Sequence, residues 1–318
     1  MRTVVTGGAG FIGSTLVDRL AARGDDVLVV DDLSTGSADN LADARTGGSG
    51  TVELAVADIG ETGAAELVAG HRPDVVFHLA AQAGVRKSWG QDFSVYTACN
   101  VEATQILLEA CSRTSLQRVV YASSSSVYGD DGIIPMHEEH RPQPVSPYGV
   151  TKLAAEHLCH LYWRTHGVPT VALRYFTVYG PRQRPDMAFH RFLKAILTDA
   201  PVLLYGDGTQ TRDFTFVQDA VSATIAAADH GESGRAYNIG GGARVSVNHV
   251  LELMAACTGQ QPRIDRQSVQ KGDMRHTYAD TSAAANALGF APNVSLKHGI
   301  ENMLKHYIPE VTEVRAID

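Results

Sequence analysis

Short apolar runs rich in β-branched residues alternate with stretches of helical spacing along the first 175 residues. The runs fall at 3–6, 27–31, 52–57, 75–79, 118–123 and 169–174. Each is continuous rather than alternating, the pattern of strands buried on both faces of a parallel sheet. Between them, 14–23 ends before Gly24, and 100–115 carries apolar residues at helical spacing. Pro147 stands near the start of a helix expected to reach about Thr165. This order predicts an α/β fold with a doubly wound parallel sheet over 1–175. After Tyr175 the alternation fails, and Pro181, Pro185, Pro201, Pro262 and Pro292 punctuate shorter elements. A smaller C-terminal α/β lobe is therefore expected over 176–318, interleaved with the first through segments near 213–240 and 277–281. Residues 236–239 are expected to rejoin the main sheet.

Composition narrows the partners. The chain has 318 residues, 44% hydrophobic and 19% charged, with a net charge of -8. It has no basic stripe for a nucleic acid. No apolar run reaches the ~18 residues of a membrane span, and the N-terminus is broken by glycines without a small-residue cleavage site. A soluble, cytoplasmic protein is expected. Cys99, Cys111, Cys159 and Cys257 are scattered without paired spacing, so free buried thiols are expected rather than disulfides or a metal site.

The glycine run Thr6-Gly7-Gly8-Ala9-Gly10-Phe11-Ile12-Gly13 follows a strand and opens a helix. In that context Gly7, Gly10 and Gly13 let the backbone approach a pyrophosphate at a helix N-terminus, with Phe11 and Ile12 beside it. The second strand ends at Asp31, 18 residues after Gly13, close to the ~20-residue spacing of an acid that bonds adenosine ribose hydroxyls. That carboxylate would repel a 2′-phosphate, which favours NAD over NADP. Asp32, Leu33, Ser34, Thr35 and Gly36 follow it in the turn. Asp58, with Ile59, is a candidate for the adenine amino group, or else a helix cap for the segment beginning near Glu61.

Tyr148 and Lys152 stand at i and i+4 on one helix face. An ammonium and a cationic nicotinamide near the phenol are expected to lower its pKa and make it a general base. Such a pair means little alone. It gains weight after a dinucleotide motif and the hydroxyl-rich run Ser123-Ser124-Ser125-Ser126.

Together, TGGAGFIG, Asp31, HLAAQ at 78–82, Asn100, SSSSVYG at 123–129, PYGVTK at 147–152 and RYFTVYGP at 174–181 resemble the extended short-chain dehydrogenase/reductases that act on nucleotide sugars. The resemblance covers essentially the whole chain and implies a Rossmann-type sheet. It implies Ser124, Tyr148 and Lys152 as catalytic residues: Ser124 bonded to the reacting hydroxyl, Tyr148 the base, and Lys152 on the nicotinamide ribose. Leu79, Ala80, Ala81, Gln82 and Asn100 then wall the ribose and nicotinamide, with Tyr175 and Val178 near the ring. Ser123 is expected to end its strand.

Such enzymes can all begin by oxidising the sugar 4-OH. Dehydratases of this family carry Asp-Glu after the catalytic Thr, and glucuronate decarboxylases carry a Glu before Val-Tyr-Gly. Ser125 and Ser126 occupy those positions, which leaves 4-epimerisation. The loop Gly180–Met187 resembles that of nucleotide-sugar uronate 4-epimerases, where the arginine matching Arg184 faces the substrate carboxylate; a solvated loop charge is the plainer alternative. Thr177 replaces an Asn found in many glucose/galactose epimerases, and with Ser125 and Ser126 it would donate to the carboxylate. Arg212, and Asp273 with Arg275, match the pyrophosphate clamp. Leu203 and Tyr205 match the strand beside the nucleotide base, and Arg191 belongs to the same set. The implied enzyme is a UDP-glucuronate 4-epimerase holding NAD and acting as a homodimer. A UDP-glucose 4-epimerase and a non-catalytic nucleotide-sugar binder are the alternatives, and uridine versus thymidine stays open.

Overall fold

Neighbouring residues of a strand point to opposite faces, and in the first strand both faces meet apolar cover: Val4 belongs to one buried cluster and Val5 to another. The same split recurs in the second strand, with Val27 and Val29 on one side and Leu28 and Val30 on the other. The computed structural model describes residues 1–130 and 132–315.

The first lobe runs β1 (Arg2–Thr6), α1 (Phe11–Arg23), β2 (Asp26–Asp31), α2 (Ala42–Gly47), β3 (Thr51–Val56), α3 (Thr62–His71), β4 (Val75–His78), α4 (Phe93–Thr97), α5 (Ala103–Ser112), β5 (Arg118–Ser124), α6 (Pro147–His166) and β6 (Thr170–Tyr175). The rest comprises β7 (Val178–Tyr179), α7 (Ala188–Leu197), β8 (Val202–Tyr205), β9 (Thr211–Asp213), β10 (Thr215–Phe216), α8 (Val217–His230), β11 (Ala236–Ile239), β12 (Arg244–Ser246), α9 (Val247–Thr258), β13 (Ile264–Gln267), α10 (Ser282–Leu288) and α11 (Leu296–Arg315).

The main sheet has seven strands in the order β11-β6-β5-β4-β1-β2-β3, each pairing parallel. Strand order reverses between β1 and β4, the switch point where a doubly wound sheet opens a crevice at its C-terminal edge. Helices α1 and α8 cover one face, through Leu16, Val17, Leu20, Ala220 and Val221. Helices α3, α5 and α6 cover the other, through Val68, Leu107, Ala155 and Tyr162. Residues 236–239 rejoin the sheet as expected, in register from Ala236 opposite Ala172 to Ile239 opposite Tyr175.

Four expectations need correction. β3 is the sheet edge, and Thr51, Glu53 and Val56 are exposed, so it is not buried on both faces. The helix expected over 100–115 begins with a π-turn at Ala98–Glu102 and is regularly α-helical only over Ala103–Ser112. A π-turn adds one residue per turn and hides from a 3.6-residue pattern. Strand β5 runs one residue further than expected, through Ser124. Of the cysteines, Cys111 and Cys159 are buried but Cys99 and Cys257 only partly so. Among the described residues, no helix is long and apolar enough to cross a membrane.

Candidate active site

Gly7 has a left-handed φ of 69°, and a Cβ there would lie 2.6 Å from the Ala80 amide nitrogen. The backbones of the β1 and β4 loops thus close to a separation only glycine allows. Helix α1 begins directly after, and its N-cap Gly10 offers no capping side chain. The first amides of the helix are left to a ligand, which fits a pyrophosphate. Asp31 ends β2 with Oδ2 accepting from Ala9 N and Oδ1 from Leu33 N, both at 2.9 Å. Burial pushes its pKa up, while these two amides pull it down. A carboxylate has about four acceptor positions, so two remain for ribose hydroxyls.

One cleft is lined by Gly7, Gly10, Phe11, Ile12, Gly13, Asp31, Asp32, Ser34, Thr35, Asp58, Ile59, Leu79, Ala80, Ala81, Gln82, Tyr148, Lys152, Tyr175 and Arg184. Most of the residues proposed from sequence for the cofactor meet there. Leu33, Gly36, Asn100 and Val178 lie off its wall. Leu33 has φ 60° and bonds Asp31, and Ser37 N bonds Ala9 O at 3.1 Å beside Gly36. Asn100 is buried and acts as a brace, its Oδ1 accepting Gln82 N at 2.8 Å and its Nδ2 donating to Gln82 O and Thr151 Oγ1 at 3.0 Å. Val178 pairs in β7 with Thr215. Asp58 does not cap α3, whose N-cap is Glu61; its Oδ1 holds a turn by accepting Gly60 N at 2.8 Å. Ala83 and Cys99 line the cleft without having been singled out in the sequence. Burial, then the charges of Asp58 and Asp32, pushes the Cys99 thiol pKa up.

The sequence places the phenol at the start of α6 by ordinary capping: Ser146 Oγ accepts Gly149 N at 3.1 Å and Pro147 follows. At Gly149 a Cβ would strike Ser126 O, so glycine lets the helix start pack on the serine turn. Ser124 Oγ accepts Ser126 N at 3.2 Å, and the Ser124 hydroxyl lies near enough to the Tyr148 phenol to act on its pKa. Lys152 is buried, donates from Nζ to Ala122 O at 2.7 Å, and lies 4.8 Å from the Tyr121 ring centroid. Burial lowers its pKa to about 8, against the opposing charges of Cys159 and Glu156. The expectation that Lys152 lowers the Tyr148 pKa is not met within the protein alone. Burial raises that pKa, and the groups opposing it are the Ser124 hydroxyl and the Arg184 charge. The ammonium is instead committed to the Ala122 carbonyl and the Tyr121 ring.

The serine run divides its work. Ser123 lines the cleft and bonds Glu156 Oε1. Ser125 is buried and Ser126 half-buried in the turn, with no carboxylate at either position. Thr177 is half-buried, and its carbonyl accepts Thr215 N at 3.0 Å. Arg184, from the 180–187 loop, lies on the cleft wall, with Nε and Nη2 donating to the two Asp186 oxygens at 3.0 and 3.1 Å.

A second cationic cluster centres on Tyr205. The guanidinium carbons of Arg86 and Arg191 lie 4.1 and 5.7 Å from its ring centroid, and Arg86 Nη2 meets Asp273 Oδ2 at 2.8 Å. Arg212 Nη1 donates to Thr211 O at 2.9 Å and Arg275 O at 3.2 Å. Burial pushes the Arg212 pKa down, while Asp273 and Asp130 push it up. Arg275 is held by its own amide on Asp130 Oδ1, 2.9 Å away, and Leu203 stays partly exposed on β8. Sequence reasoning missed Arg86. Its signal was position: it lies four residues after Gln82, on the β4 loop that walls the cofactor cleft, and it reaches the second lobe.

Residues 3–240 match the model of the NAD dependent epimerase/dehydratase family. The chain is 42% identical over 317 residues to the Bacillus subtilis (strain 168) protein named uncharacterized UDP-glucose epimerase YtcB, covering 96% of this chain and 98% of that one. Among solved structures, it resembles UDP-glucuronic acid 4-epimerase from Bacillus cereus, in complex with UDP-glucuronic acid and NAD, at 39% identity and a TM-score of 0.91 over 99% of this chain and 100% of that one. MoeE5 in complex with UDP-glucuronic acid and NAD is similar at 42% identity and a TM-score of 0.87, over 98% and 100% of the two chains; MoeE5 has also been solved with UDP-glucose and NAD. The glycine cradle, Asp31 and the Ser124–Tyr148–Lys152 group thus sit in a chain that belongs to the NAD dependent epimerase/dehydratase family.

Proposed function

We propose that this enzyme is an NAD-dependent UDP-sugar 4-epimerase whose substrate is UDP-glucuronate and whose product is UDP-galacturonate. The observation that carries the substrate choice is Arg184, a guanidinium on the wall of the same cleft as the Tyr148 phenol. An arginine fork suits a carboxylate through two charge-assisted bonds.

Bound NAD supplies the reversible two-electron oxidation at sugar C4. Ser124 holds the reacting hydroxyl, and Tyr148 takes its proton and later gives it back. Lys152 carries a positive charge beneath the cofactor ribose. Arg86, Arg191, Arg212 and Arg275 hold the substrate pyrophosphate, and Tyr205 flanks the nucleotide. With Ser125 and Ser126 beside the ketone, no carboxylate stands there to remove the C5 proton. The ketone is left to turn its other face, and reduction inverts C4.

Product analysis with UDP-glucuronate and UDP-glucose side by side, without added NAD, tests the proposal; turnover of glucose alone would overturn the substrate choice. That second reading, a UDP-glucose 4-epimerase, is favoured by the Arg184–Asp186 pair, which offsets the arginine charge. Absence of turnover with every nucleotide sugar would favour a non-catalytic binder. A 4-keto uronate is a β-keto acid that loses carbon dioxide when its carboxylate bond stands perpendicular to the carbonyl plane. Arg184→Ala is therefore expected to raise the pentose fraction among the products, and an unchanged product ratio would refute that protective role.

The proposal includes a cytoplasmic homodimer formed through 100–115 and 147–165. Val150 and Leu161 on α6, with Phe93 and Val95 on α4, are exposed apolar side chains that support it. Light scattering is expected to give twice the 34.0 kDa chain mass, and Leu161→Glu to shift it toward the monomer.

A further inference from the structure

Arg184 meets Asp186 fork to fork, Nε to Oδ1 at 3.0 Å and Nη2 to Oδ2 at 3.1 Å. Among the described residues, its hydrogen bonds go only to this carboxylate. A guanidinium has five N–H donors in a fixed plane, so the pair uses the side edge and leaves the end edge for a ligand. The Arg184 side chain is 25% exposed and that of Asp186 56%, which places the arginine inward and its partner toward water.

The loop beneath them is fixed by other groups. Arg182 bonds Asp18 at 2.6 Å and Asp43 at 3.1 Å, both on the dinucleotide lobe. Gln183 Nε2 donates to Val178 O at 3.2 Å, and its Oε1 accepts His190 N at 3.1 Å. Removing the Asp186 charge therefore alters the electrostatics of Arg184 while the loop keeps its anchors.

We propose that Asp186 is a positioning residue that sets how strongly the sugar site prefers a carboxylate over a hydroxymethyl group at C5. The proposal rests on the reading that Arg184 faces that carbon. With a neutral hexose bound, Arg184 keeps a counter-charge in Asp186 and is not left as an unpaired cation in a closing cleft. With a uronate bound, the second carboxylate shares the same guanidinium and gains less than it would from a lone arginine. Asp186 so narrows the discrimination between the two sugars.

The test is kcat/KM of the NAD-loaded enzyme for UDP-glucuronate and for UDP-glucose, in wild type, Asp186→Asn, Asp186→Glu and Arg184→Ala. Asp186→Asn is expected to raise the uronate-to-hexose ratio roughly two- to five-fold, the scale of an ion pair half open to water, and Asp186→Glu to bring it back. A merely structural role would lower both values together and leave the ratio unchanged, which overturns the proposal. Asp186→Ser carries the test if the amide disturbs the loop. Where turnover of one sugar nucleotide falls below detection, the ratio of their dissociation constants by calorimetry is read instead. An Arg184→Ala ratio equal to wild type would refute the placement of Arg184. A fall in that variant with no change in Asp186→Asn would refute the role of Asp186 alone.

Discussion

Tyr148→Phe is expected to lower kcat by about 10²- to 10⁴-fold, the usual share of a positioned acid–base group. The substitution removes one oxygen and keeps the ring, which meets Tyr96 edge-on at a centroid distance of 6.2 Å. The helix start is untouched, because Ser146 and Pro147 hold it and Gly149 packs it on the serine turn. NAD and substrate affinities should therefore stay within a few-fold of wild type, measured by calorimetry on the purified protein. The pH dependence has a definite sign. Burial holds the phenol above its ordinary pKa, so the basic form grows as pH rises and wild-type kcat should climb through the neutral range. In Tyr148→Phe that climb should vanish along with most of the rate. A variant retaining more than a tenth of wild-type kcat would show that another group moves the proton.

The dinucleotide half was legible because each of its features is local. The glycine run, the β-branched strands and the acid ending β2 stand within 31 residues, and their spacing alone sets their mutual geometry. The i and i+4 relation of Tyr148 and Lys152 is legible for the same reason. What escaped depends on contacts made far along the chain. Arg86 looks like any surface charge until the second lobe brings Asp273 to it, 187 residues later. Asp186 looks like loop polarity until its geometry with Arg184 is seen. Asn100 was recognisable as important, yet from its π-turn it braces Gln82 and lies off the cleft wall. The electronic partner of Tyr148 was misjudged because i and i+4 spacing fixes a shared face but not where a long flexible ammonium finds its acceptor. Lys152 found Ala122 O and the face of Tyr121.

Glu156→Ala is expected to destabilise the fold by about 3–5 kcal/mol, the cost of leaving one member of a buried ion pair without its partner. Glu156 lies on α6 one turn after Lys152 and two after Tyr148, and its side chain is 8% exposed. Arg174, 7% exposed on β6, donates to it from Nε at 3.0 Å and Nη2 at 2.8 Å. Glu156 also bonds Ser123, and Arg174 Nη1 reaches Tyr128 Oη at 2.9 Å. Tyr128 in turn donates to Asn238 Oδ1 on β11 at 2.6 Å. The network therefore joins α6, β5, β6 and β11 directly behind the serine run. Burial pushes the Arg174 pKa down and Glu156, then Tyr128, more than offset it; in Glu156→Ala the main offset is gone, yet a guanidinium keeps its charge in a protein, so the cation must be accommodated without its carboxylate. Urea unfolding of the purified variant checks the magnitude through its midpoint at unchanged slope. Replacing both partners with apolar residues, Glu156→Leu with Arg174→Met, should recover most of the loss, because no charge is then stranded. It should leave turnover low, since Ser123 and Tyr128 lose the groups that fix the strand end beside Ser124. A Glu156→Ala variant within 1 kcal/mol of wild type would show that the pair is solvated in solution and does not hold the site together.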